Sequence, residues 1–345
     1  MIVARLYHGE VFYKHRPKGY HPENPERLRL AYESLKRYGI LDRLEVVEPP
    51  LAGEEDVLRI HSPWYVDRIR DLSMAGGGML DPDTYVSEDT WEAALAYVGS
   101  AIDGASRDGA SVILGRPPGH HAGRDGVAMD APTLGFCIFN GSAAAALRLA
   151  DEGLRVLVLD FDVHHGNGTQ EILYREARVY HVDLHQDPST LYPGTGWPWQ
   201  TGDGSAKGTK LNFVIPPRCG DDCYNYVLDK VIDILDRLGF KPNAVVFDAG
   251  FDAYVDDGLA SMRATSNTYY KIATRIVEEY KPSRIVAVLE GGYSAGLERG
   301  LPAFIAGLLG LDNPVEDKPT TSHPDRLRML ETNIAELERQ LGLRG

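Results

Sequence analysis

Short, almost continuous runs of apolar residues recur along the chain and alternate with longer amphipathic stretches. The runs are rich in β-branched residues and cover residues 111–114, 156–159, 179–184, 244–247 and 285–289. Uninterrupted apolarity of this length is typical of strands that are covered on both faces, as in a parallel sheet. Helical patterns lie between and before the runs, at residues 28–38, 141–151 and 224–238. The alternation predicts an α/β fold with a single parallel sheet between helices.

Polar residues follow four of the predicted strands, at the point where each strand ends. The sequence GRPPGHH follows strand 111–114, DFDVHHGNGT follows 156–159, DAGFDA follows 244–247, and EGGYS follows 285–289. Because open parallel sheets bind ligands at the carboxyl ends of their strands, we expect the four loops to converge on one crevice. One domain over residues 1–345 explains this spacing better than the two domains that the length allows. A TIM barrel, which also places its site at strand ends, is the alternative fold.

The C-terminal segment and one long loop carry less chemistry. Residues 325–341 have an apolar stripe at helical spacing, made of Leu327, Leu330, Ile334, Leu337 and Leu341. We expect this amphipathic helix to dock on the body of the protein, with pairing to a second subunit of a homo-oligomer as the alternative. The loop over residues 75–87 is rich in turn-forming residues and is expected at the surface.

Composition narrows the class of protein. The 345 residues include 36 basic and 50 acidic side chains, which gives a formal net charge of −14. A general nucleic-acid-binding protein needs a positively charged surface, so direct nucleic-acid binding is not expected. The longest uncharged apolar run, residues 301–311, is about half a membrane span, and Arg5 interrupts the apolar N-terminal stretch. We expect a soluble cytoplasmic protein that has no membrane partner.

The loop after strand 156–159 carries candidate metal ligands. Alternate residues of an extended segment face the same way, so Asp162 and His164 can present a carboxylate and an imidazole to one cation. Asp252, which follows another predicted strand, can supply a third ligand. Two carboxylates and one imidazole suit Zn²⁺ or Fe²⁺ and leave a position open for water or substrate. Such a metal polarises a carbonyl group and lowers the pKa of bound water.

Two adjacent histidines, His120 and His121, offer imidazoles for acid and base chemistry. Each needs a partner that orients its ring, and the candidates are Asp160 and Asn167. A carboxylate stabilises an imidazolium ion whereas an amide does not, so we predict different pKa values for the two rings.

Aromatic residues next to glycine or proline complete the candidate site. Tyr293 follows a Gly-Gly pair, and its phenol is a candidate donor to an oxyanion. Phe136 and Tyr192 are candidate walls of a narrow slot. The alternatives are a purely structural turn for Tyr293, a core position for Phe136 and ordinary polar roles for single histidines.

Seven motifs, taken in order, resemble the histone deacetylase superfamily, which includes bacterial and archaeal deacetylases, acetoin-utilisation proteins and acetylpolyamine amidohydrolases. They are HPENPERL (21–28), RPPGHHA (116–122), GFCIFN (135–140), DFDVHHGNGTQ (160–170), LYPGTG (191–196), AGFDA (249–253) and LEGGYS (289–294). The class II subset looks most similar. The resemblance covers about residues 8–310 and leaves 311–345 as a C-terminal extension. It implies the arginase-like α/β fold, with about eight parallel strands sandwiched between helices.

The resemblance also implies roles for the residues that the chemistry selects. The zinc ligands of the family fall on Asp162, His164 and Asp252. By the same analogy His121 is the general base and acid, and His120 acts electrostatically.

The remaining motif positions are assigned in the same way. Asp160 stands behind the first histidine and Asn167 behind the second, and Tyr293 matches the tyrosine that stabilises the transition state. The substrate-contacting positions fall on Phe136 and Tyr192 in the acyl tunnel, Arg27 near an inner cavity for acetate release, and Gly119 and Gly291.

Two positions bear on the subclass of the family and on a second cation. Asn167 is the class II variant of a position that is Asp in class I. Asp183 stands where relatives often have Ser in a monovalent-cation site; with Asp160 and Leu184 it is a candidate K⁺ or Na⁺ site with an altered ligand set.

The position that is an acidic gatekeeper in polyamine deacetylases corresponds to Leu259, which favours an acylated lysine. A one-residue slip of the alignment would bring Asp256 or Asp257 to the rim instead.

The sequence therefore predicts a zinc-dependent deacetylase that hydrolyses an N-acetylated or otherwise acylated lysine or amine with metal-activated water and releases acetate. An acetylpolyamine amidohydrolase is the alternative within this class. A non-catalytic protein that binds acyl ligands is the alternative from another class, and it is disfavoured because every acid-base position is filled. A binuclear ureohydrolase would need further Asp ligands near His120.

Overall fold

The computed structural model describes residues 3–344, and twelve strands are found within them. In chain order the strands are β1 (Ala4–Tyr7), β2 (Glu45–Val47), β3 (Gly78–Met79), β4 (Tyr85–Val86), β5 (Gly109–Ile113), β6 (Ala122–Gly123), β7 (Gly126–Val127), β8 (Val156–Asp160), β9 (Val179–Gln186), β10 (Lys210–Ile215), β11 (Ala244–Ala249) and β12 (Arg284–Leu289). Two antiparallel pairs, β3 with β4 and β6 with β7, form small separate ladders. The other eight strands form one parallel sheet.

Helices connect the strands and cover the sheet. They are α1 (Val11–Lys14), α2 (Glu26–Arg37), α3 (Glu54–Ile60), α4 (Pro63–Met74), α5 (Thr90–Ala105), α6 (Gly141–Asp151), α7 (Asn167–Leu173), α8 (Asp221–Arg237), α9 (Ser266–Tyr280), α10 (Leu301–Leu309) and α11 (Pro324–Gln340). Among the described residues, no helix is both long enough and apolar enough to cross a membrane.

The strand order of the large sheet is β10-β9-β8-β11-β12-β5-β1-β2. The sheet is open, because β10 and β2 each have a neighbour on one side only. The predicted parallel sheet of about eight strands among helices is confirmed, and the TIM-barrel alternative is wrong. The central strands are buried along their whole length, as their continuous apolarity predicts.

Strand β10 was not predicted, and its sequence KLNFVI explains why. It begins with Lys210, whose side chain is fully buried despite its charge. The ammonium group donates hydrogen bonds to the carbonyl oxygens of Glu176 and Val179 and to the Thr209 hydroxyl. Because of these local acceptors, a buried strand can contain a polar residue. Such a residue breaks the continuous run of apolar residues by which the other strands were predicted.

The C-terminal helix α11 docks on the body, as predicted. Leu330, Ile334 and Leu337 are buried, and Asn333 donates a 2.9 Å hydrogen bond to the Val214 carbonyl of β10. The surface expectation for loop 75–87 holds only in part: Ala75, Gly76, Met79 and Pro82 are exposed, whereas Leu80, Thr84, Tyr85 and Val86 are buried. Its turn residues bind neighbouring chain segments instead of water: the carboxylates of Asp81 and Asp83 accept hydrogen bonds from Leu134 N–H and the Thr133 hydroxyl.

A buried ion pair anchors the N-terminal loop to the end of β5. Arg116 and Glu23 are both fully buried, and the guanidinium donates to both carboxylate oxygens at 2.5 and 2.6 Å. Arg116 also donates to the carbonyl oxygens of Phe12 and His15, and the Tyr85 hydroxyl donates to Glu23 at 2.9 Å. Although burial opposes it, Arg116 holds the pKa of Glu23 well below its usual value. Each charge in this group therefore has an opposite charge and hydrogen bonds.

Candidate active site

The carboxyl ends of β8 and β11 bring Asp162, His164 and Asp252 together, as the sequence predicts. One ligand atom from each lies within 4.8 Å of the other two. His164 Nδ1 is 3.0 Å from Asp162 Oδ1 and 3.1 Å from Asp252 Oδ2. Both carboxylates are buried and the imidazole is 13% exposed. Three potential ligands from two strands thus face one point.

The backbone orients these two carboxylates and leaves ligand atoms available. Gly291 N–H donates to Asp162 Oδ2 at 2.7 Å, and Val163 N–H donates to Asp252 Oδ1 at 3.0 Å. Asp252 Oδ2 is buried and receives no hydrogen bond, because His164 Nδ1, 3.1 Å away, makes its hydrogen bond to Asp162 Oδ1. Two carboxylates, one imidazole and an orphaned buried oxygen fit a divalent cation such as Zn²⁺ or Fe²⁺.

The electrostatics of the three residues also suit a cation. Burial and the nearby Asp162 raise the pKa of Asp252 to about 6. Burial opposes protonation of His164, yet Asp252 and Asp162 raise its pKa to about 9. The group therefore carries more negative charge than one imidazolium neutralises, and a bound cation would relieve it.

Two motif glycines allow the backbone to approach the carboxylates. A Cβ atom on Gly250 would lie 2.0 Å from Asp162 Oδ2, and one on Gly291 would lie 2.2 Å from Asp252 Oδ2. Real Cβ atoms do not approach so closely, so any side chain at either position would displace the carboxylates.

The two adjacent histidines have different partners. His120 Nδ1 is 3.0 Å from Asp160 Oδ2, and His121 Nδ1 is 2.7 Å from Asn167 Oδ1. Asn167 Nδ2 donates to the Ala128 carbonyl, so its Oδ1 is the atom that faces His121 as an acceptor. This places the proton of neutral His121 on Nδ1 and leaves Nε2 free to accept one.

The pKa values of the two rings differ, as predicted, and they shift in opposite directions. Burial opposes protonation of His120, but Asp162 and Asp160 raise its pKa well above the usual value. Burial lowers the pKa of His121 well below the usual value, and the positive charges of His120 and His164 add to this effect. His120 is thus set to be an imidazolium ion and His121 to be neutral.

Glu290 positions the histidine pair and was missed in the sequence. It is fully buried and accepts hydrogen bonds from Gly119 N–H, His120 N–H and the Tyr97 hydroxyl. A Cβ on Gly119 would lie 2.3 Å from the Phe139 carbonyl, so this glycine packs behind the histidines. The available signal was the position of Glu290 as the first residue after β12.

A slot of about 260 Å³ leads to the three potential ligands. Its walls include His121, His164, Phe136, Tyr192, Leu259 and Tyr293. The Tyr192 ring meets His121 edge to face at 4.9 Å, and the Phe136 ring meets Tyr293 in the same way at 6.2 Å. Phe136 is partly exposed at φ 73°, a left-handed conformation that bulky residues rarely adopt. It lines the slot and is not a core residue.

Backbone and side-chain contacts place Tyr293 in the slot wall. Asp257 accepts hydrogen bonds from Tyr293 N–H at 2.9 Å and from two further amides of the same turn. The Arg27 guanidinium lies 4.7 Å from the centre of the Tyr293 ring and donates to the Gly292 carbonyl at 2.7 Å. Burial raises the pKa of Tyr293 well above its usual value, so the phenol keeps its proton.

In the loop after β11, Leu259 is the residue that faces the rim of the slot. Leu259 lines the slot and is 37% exposed. Asp257 is 5% exposed and turned inward, so it is not at the rim, and Asp256 is exposed but does not line the slot. Asp83, from the loop that was expected at the surface, also lines the slot and was not predicted.

The other predicted positions lie around the slot or behind it. Arg27 borders a neighbouring cavity of about 420 Å³ whose lining includes Tyr293. Asp183 and Leu184 are buried on β9, where Asp183 is the register partner of Asp160. Asp183 Oδ1 is 2.5 Å from His185 Nδ1, and its Oδ2 accepts Gly166 N–H at 2.9 Å.

Comparisons with known proteins agree with this geometry. A family model described as Histone deacetylase domain matches residues 21–308. The chain is similar to a probable deacetylase of Archaeoglobus fulgidus, at 36% identity over 95% of this chain and 92% of the relative. It is also similar to a histone deacetylase-like amidohydrolase of Pseudomonas aeruginosa, at 36% identity over 86% of this chain and 79% of the relative. The crystal structure of the HDA15 HD domain superposes with a TM-score of 0.85 at 28% identity, over 99% of this chain and 98% of that one.

Proposed function

The chain belongs to the histone deacetylase family, and on that premise we propose that it is a metal-dependent deacetylase. It hydrolyses the amide of an N-acetylated, or otherwise acylated, lysine or amine and releases acetate. One observation carries the proposal: the slot reaches His164, which clusters with Asp162 and Asp252, and a neutral histidine and a protonated tyrosine line the same slot.

Asp162, His164 and Asp252 would hold the cation, which we propose to be Zn²⁺, with Fe²⁺ as the alternative. The donor set and the orphaned Asp252 Oδ2 support this choice. When bound there, the cation would polarise the amide carbonyl and make water a better nucleophile at neutral pH.

His121 is the general base and acid of this reaction. Its Nδ1–H is directed at Asn167, so Nε2 takes the proton of the attacking water and later delivers it to the departing amine. His120, held by Asp160, stays protonated and contributes positive charge beside the reacting carbonyl.

The phenol O–H of Tyr293 donates a hydrogen bond to the developing oxyanion. Its place in the slot wall is set by Asp257 below the turn and by Arg27 over the ring. One such donor contributes about 3 kcal/mol of transition-state stabilisation.

Phe136 and Tyr192 enclose the aliphatic stem of the substrate. Leu259 at the rim supports an acyl-lysine substrate, whereas the Asp83 carboxylate, which also lines the slot, would suit the cationic stem of a polyamine. Acetylpolyamines and longer acyl-lysines remain the alternatives to be compared with it. A cytoplasmic location stays a prediction.

A monovalent cation, K⁺ or Na⁺, at Asp160, Asp183 and Leu184 is a further part of the proposal. Both Asp183 oxygens already have a partner, but a carboxylate oxygen has a second lone pair that can bind a cation. Activity in K⁺, in Na⁺ and in a bulky organic cation of equal ionic strength tests this part.

The proposed function is tested with Tyr293→Phe and an acetyl-lysine reporter peptide. The variant keeps its metal content and loses about a hundredfold in turnover, because only the transition-state hydrogen bond is removed. Tyr85→Phe, which changes a tyrosine outside the slot, is the control and keeps full turnover. Unchanged turnover in Tyr293→Phe removes this tyrosine from the mechanism. Tight binding of acyl-lysine with no product after long incubation would instead support the non-catalytic alternative.

A further inference from the structure

Three adjacent strands place buried carboxylates side by side. Asp160 on β8 lies opposite Asp183 on β9 and opposite Asp248 on β11. Residues that are paired in a ladder point to the same face of the sheet, so the three side chains form a row. All three are fully buried. Unpaired like charges in such a row would strongly destabilise the fold.

Two members of this row have partners and the third has none. Asp183 contacts His185 and Gly166, and Asp160 contacts His120 and Asp162 N–H. Neither carboxylate oxygen of Asp248 has a hydrogen-bond partner. Asp248 is therefore a buried carboxylate that the described residues leave uncompensated.

His181 faces the same place, and its Nε2 lies 3.7 Å from Asp183 Oδ2. It lies two residues before Asp183 on β9, hence on the same face of the sheet, and it is fully buried. Neither of its ring nitrogens has a hydrogen-bond partner. The buried hydroxyl of Ser142, at the start of α6, lies beside Asp248 and likewise lacks one. The Asp248 carboxylate and the His181 imidazole thus lie close together with no well-formed hydrogen bond, although buried polar groups are rarely left unpaired.

We propose that Asp160, His181 and Asp248 hold a second divalent cation, distinct from the one at Asp162, His164 and Asp252. One ligand atom from each of the three lies within 4.8 Å of the other two. Two carboxylates and one imidazole repeat the donor set of the first site and suit Zn²⁺, Mn²⁺ or Fe²⁺. This site shares Asp160 with the monovalent one at Asp160, Asp183 and Leu184, and the imidazole of His181 distinguishes it, because K⁺ and Na⁺ prefer oxygen ligands.

The second cation lies behind the histidine pair. His120 Nδ1 contacts Asp160, and His120 Nε2 is 3.9 Å from Asp162, so His120 stands between the two groups of ligands. A cation on Asp160 would place its positive charge on the side of His120 that faces away from Asp162. The second site thereby influences the electrostatics of the first without touching substrate.

Metal content of the full chain tests the proposal. The protein is stripped with a chelator, dialysed against Mn²⁺ or Zn²⁺, and analysed by inductively coupled plasma mass spectrometry. We expect two equivalents in the wild type, one in Asp248→Asn and one in His181→Asn. Asp221→Asn is the matched control and keeps two, because Asp221 is a buried aspartate whose carboxylate accepts hydrogen bonds from Thr265, Thr268 and Thr320.

A variant of the first site separates this inference from the proposed function. Asp252→Asn retains one equivalent, and Asp248→Asn/Asp252→Asn retains none. The melting temperature of Asp252→Asn rises when Mn²⁺ is added, and that of the double variant does not. If the wild type binds one equivalent, or if neither Asp248→Asn nor His181→Asn lowers the count, water or a proton occupies the cluster and the proposal is wrong. If the number of bound metal equivalents falls in Asp248→Asn but not in Asp252→Asn, the site at Asp160, His181 and Asp248 is supported and the site at Asp162, His164 and Asp252 is overturned.

Discussion

Two groups of buried charges in this protein are built in opposite ways. Around Arg116 and Glu23, each charge is met by an opposite charge and by further hydrogen bonds. Around Asp162, His164 and Asp252, two carboxylates share one imidazole, and Asp252 Oδ2 receives no hydrogen bond. Burial alone does not distinguish the two groups, because both are almost inaccessible to solvent.

The difference teaches how to separate a structural cluster from a binding site. A closed set of charges is complete without a ligand, and removing one member harms only the fold. An open set is costly in the free protein and becomes favourable when a cation completes it. The free energy of unfolding should therefore respond oppositely to substitutions in the two places.

Arg116→Met is the substitution expected to have the largest effect. It leaves the buried Glu23 with only the longer, 3.3 Å contact to Arg27 as an ion pair, and should lower the free energy of unfolding by about 3 kcal/mol. Urea denaturation followed by circular dichroism measures this loss. Arg116→Met combined with Glu23→Leu removes both charges and should recover a large part of it. A loss below about 1 kcal/mol in the single variant would mean that the pair is not what anchors the N-terminal loop.

The pH dependence of the metal-free protein should show the open cluster directly. Burial and Asp162 raise the pKa of Asp252 from 3.8 to about 6, so the folded state binds this proton more tightly than the unfolded state does. Stability from this group is therefore present below about pH 4 and is lost as the pH rises to about 6, by up to about 3 kcal/mol.

The comparison of wild type with Asp252→Asn isolates this contribution from the other titrating groups. Both proteins are unfolded with urea in chelator at several pH values, and the difference between their free energies of unfolding should fall from pH 4 to pH 6. Glu23 gives the opposite sign, because Arg116 lowers its pKa: its contribution is kept above its unfolded pKa and is lost only in strong acid. A flat difference would show that Asp252 is ionised in the free protein without cost.

An added cation should stabilise the cluster of Asp162, His164 and Asp252 and have no effect on the ion pair of Arg116 and Glu23. At a free Zn²⁺ concentration a hundredfold above Kd, one occupied site raises the free energy of unfolding by about 2.7 kcal/mol. Asp252→Asn should lose a gain of this size, whereas Arg116→Met should keep it in full. Denaturation with and without Zn²⁺ provides the measurement. An equal gain in wild type and Asp252→Asn would place the stabilising cation elsewhere.

The sequence predicts most of the fold because the central strands are continuous runs of apolar residues. Strands β8, β11 and β12 are buried on both faces, and their predicted ends fall within two residues of those observed. Prediction fails where tertiary contacts override composition. Lys210 is accepted in β10 by nearby carbonyl oxygens, and Tyr85 in the turn-rich loop is buried because Glu23 and Arg116 bind its hydroxyl.

The candidate site was predictable where ligands are close in sequence or follow strand ends. Asp162, His164 and Asp252 come together because β8 and β11 are neighbours in the sheet. Glu290 and Asp257 could not be assigned in this way. Their function depends on which backbone amides they face, and only the folded loops decide that.

A matched pair of Tyr→Phe substitutions gives the smallest and most specific distinction between the two regions. The Tyr85 hydroxyl donates to Glu23 and accepts from Arg116, so Tyr85→Phe should cost about 1.5 kcal/mol of stability and leave turnover unchanged. The Tyr293 hydroxyl has no hydrogen-bond partner among the residues that the structure describes, so Tyr293→Phe should leave stability within about 0.5 kcal/mol. Urea denaturation of both variants checks this. A stability loss in Tyr293→Phe equal to that in Tyr85→Phe would mean that this phenol too belongs to a closed network, and that its hydroxyl is not free to meet a substrate.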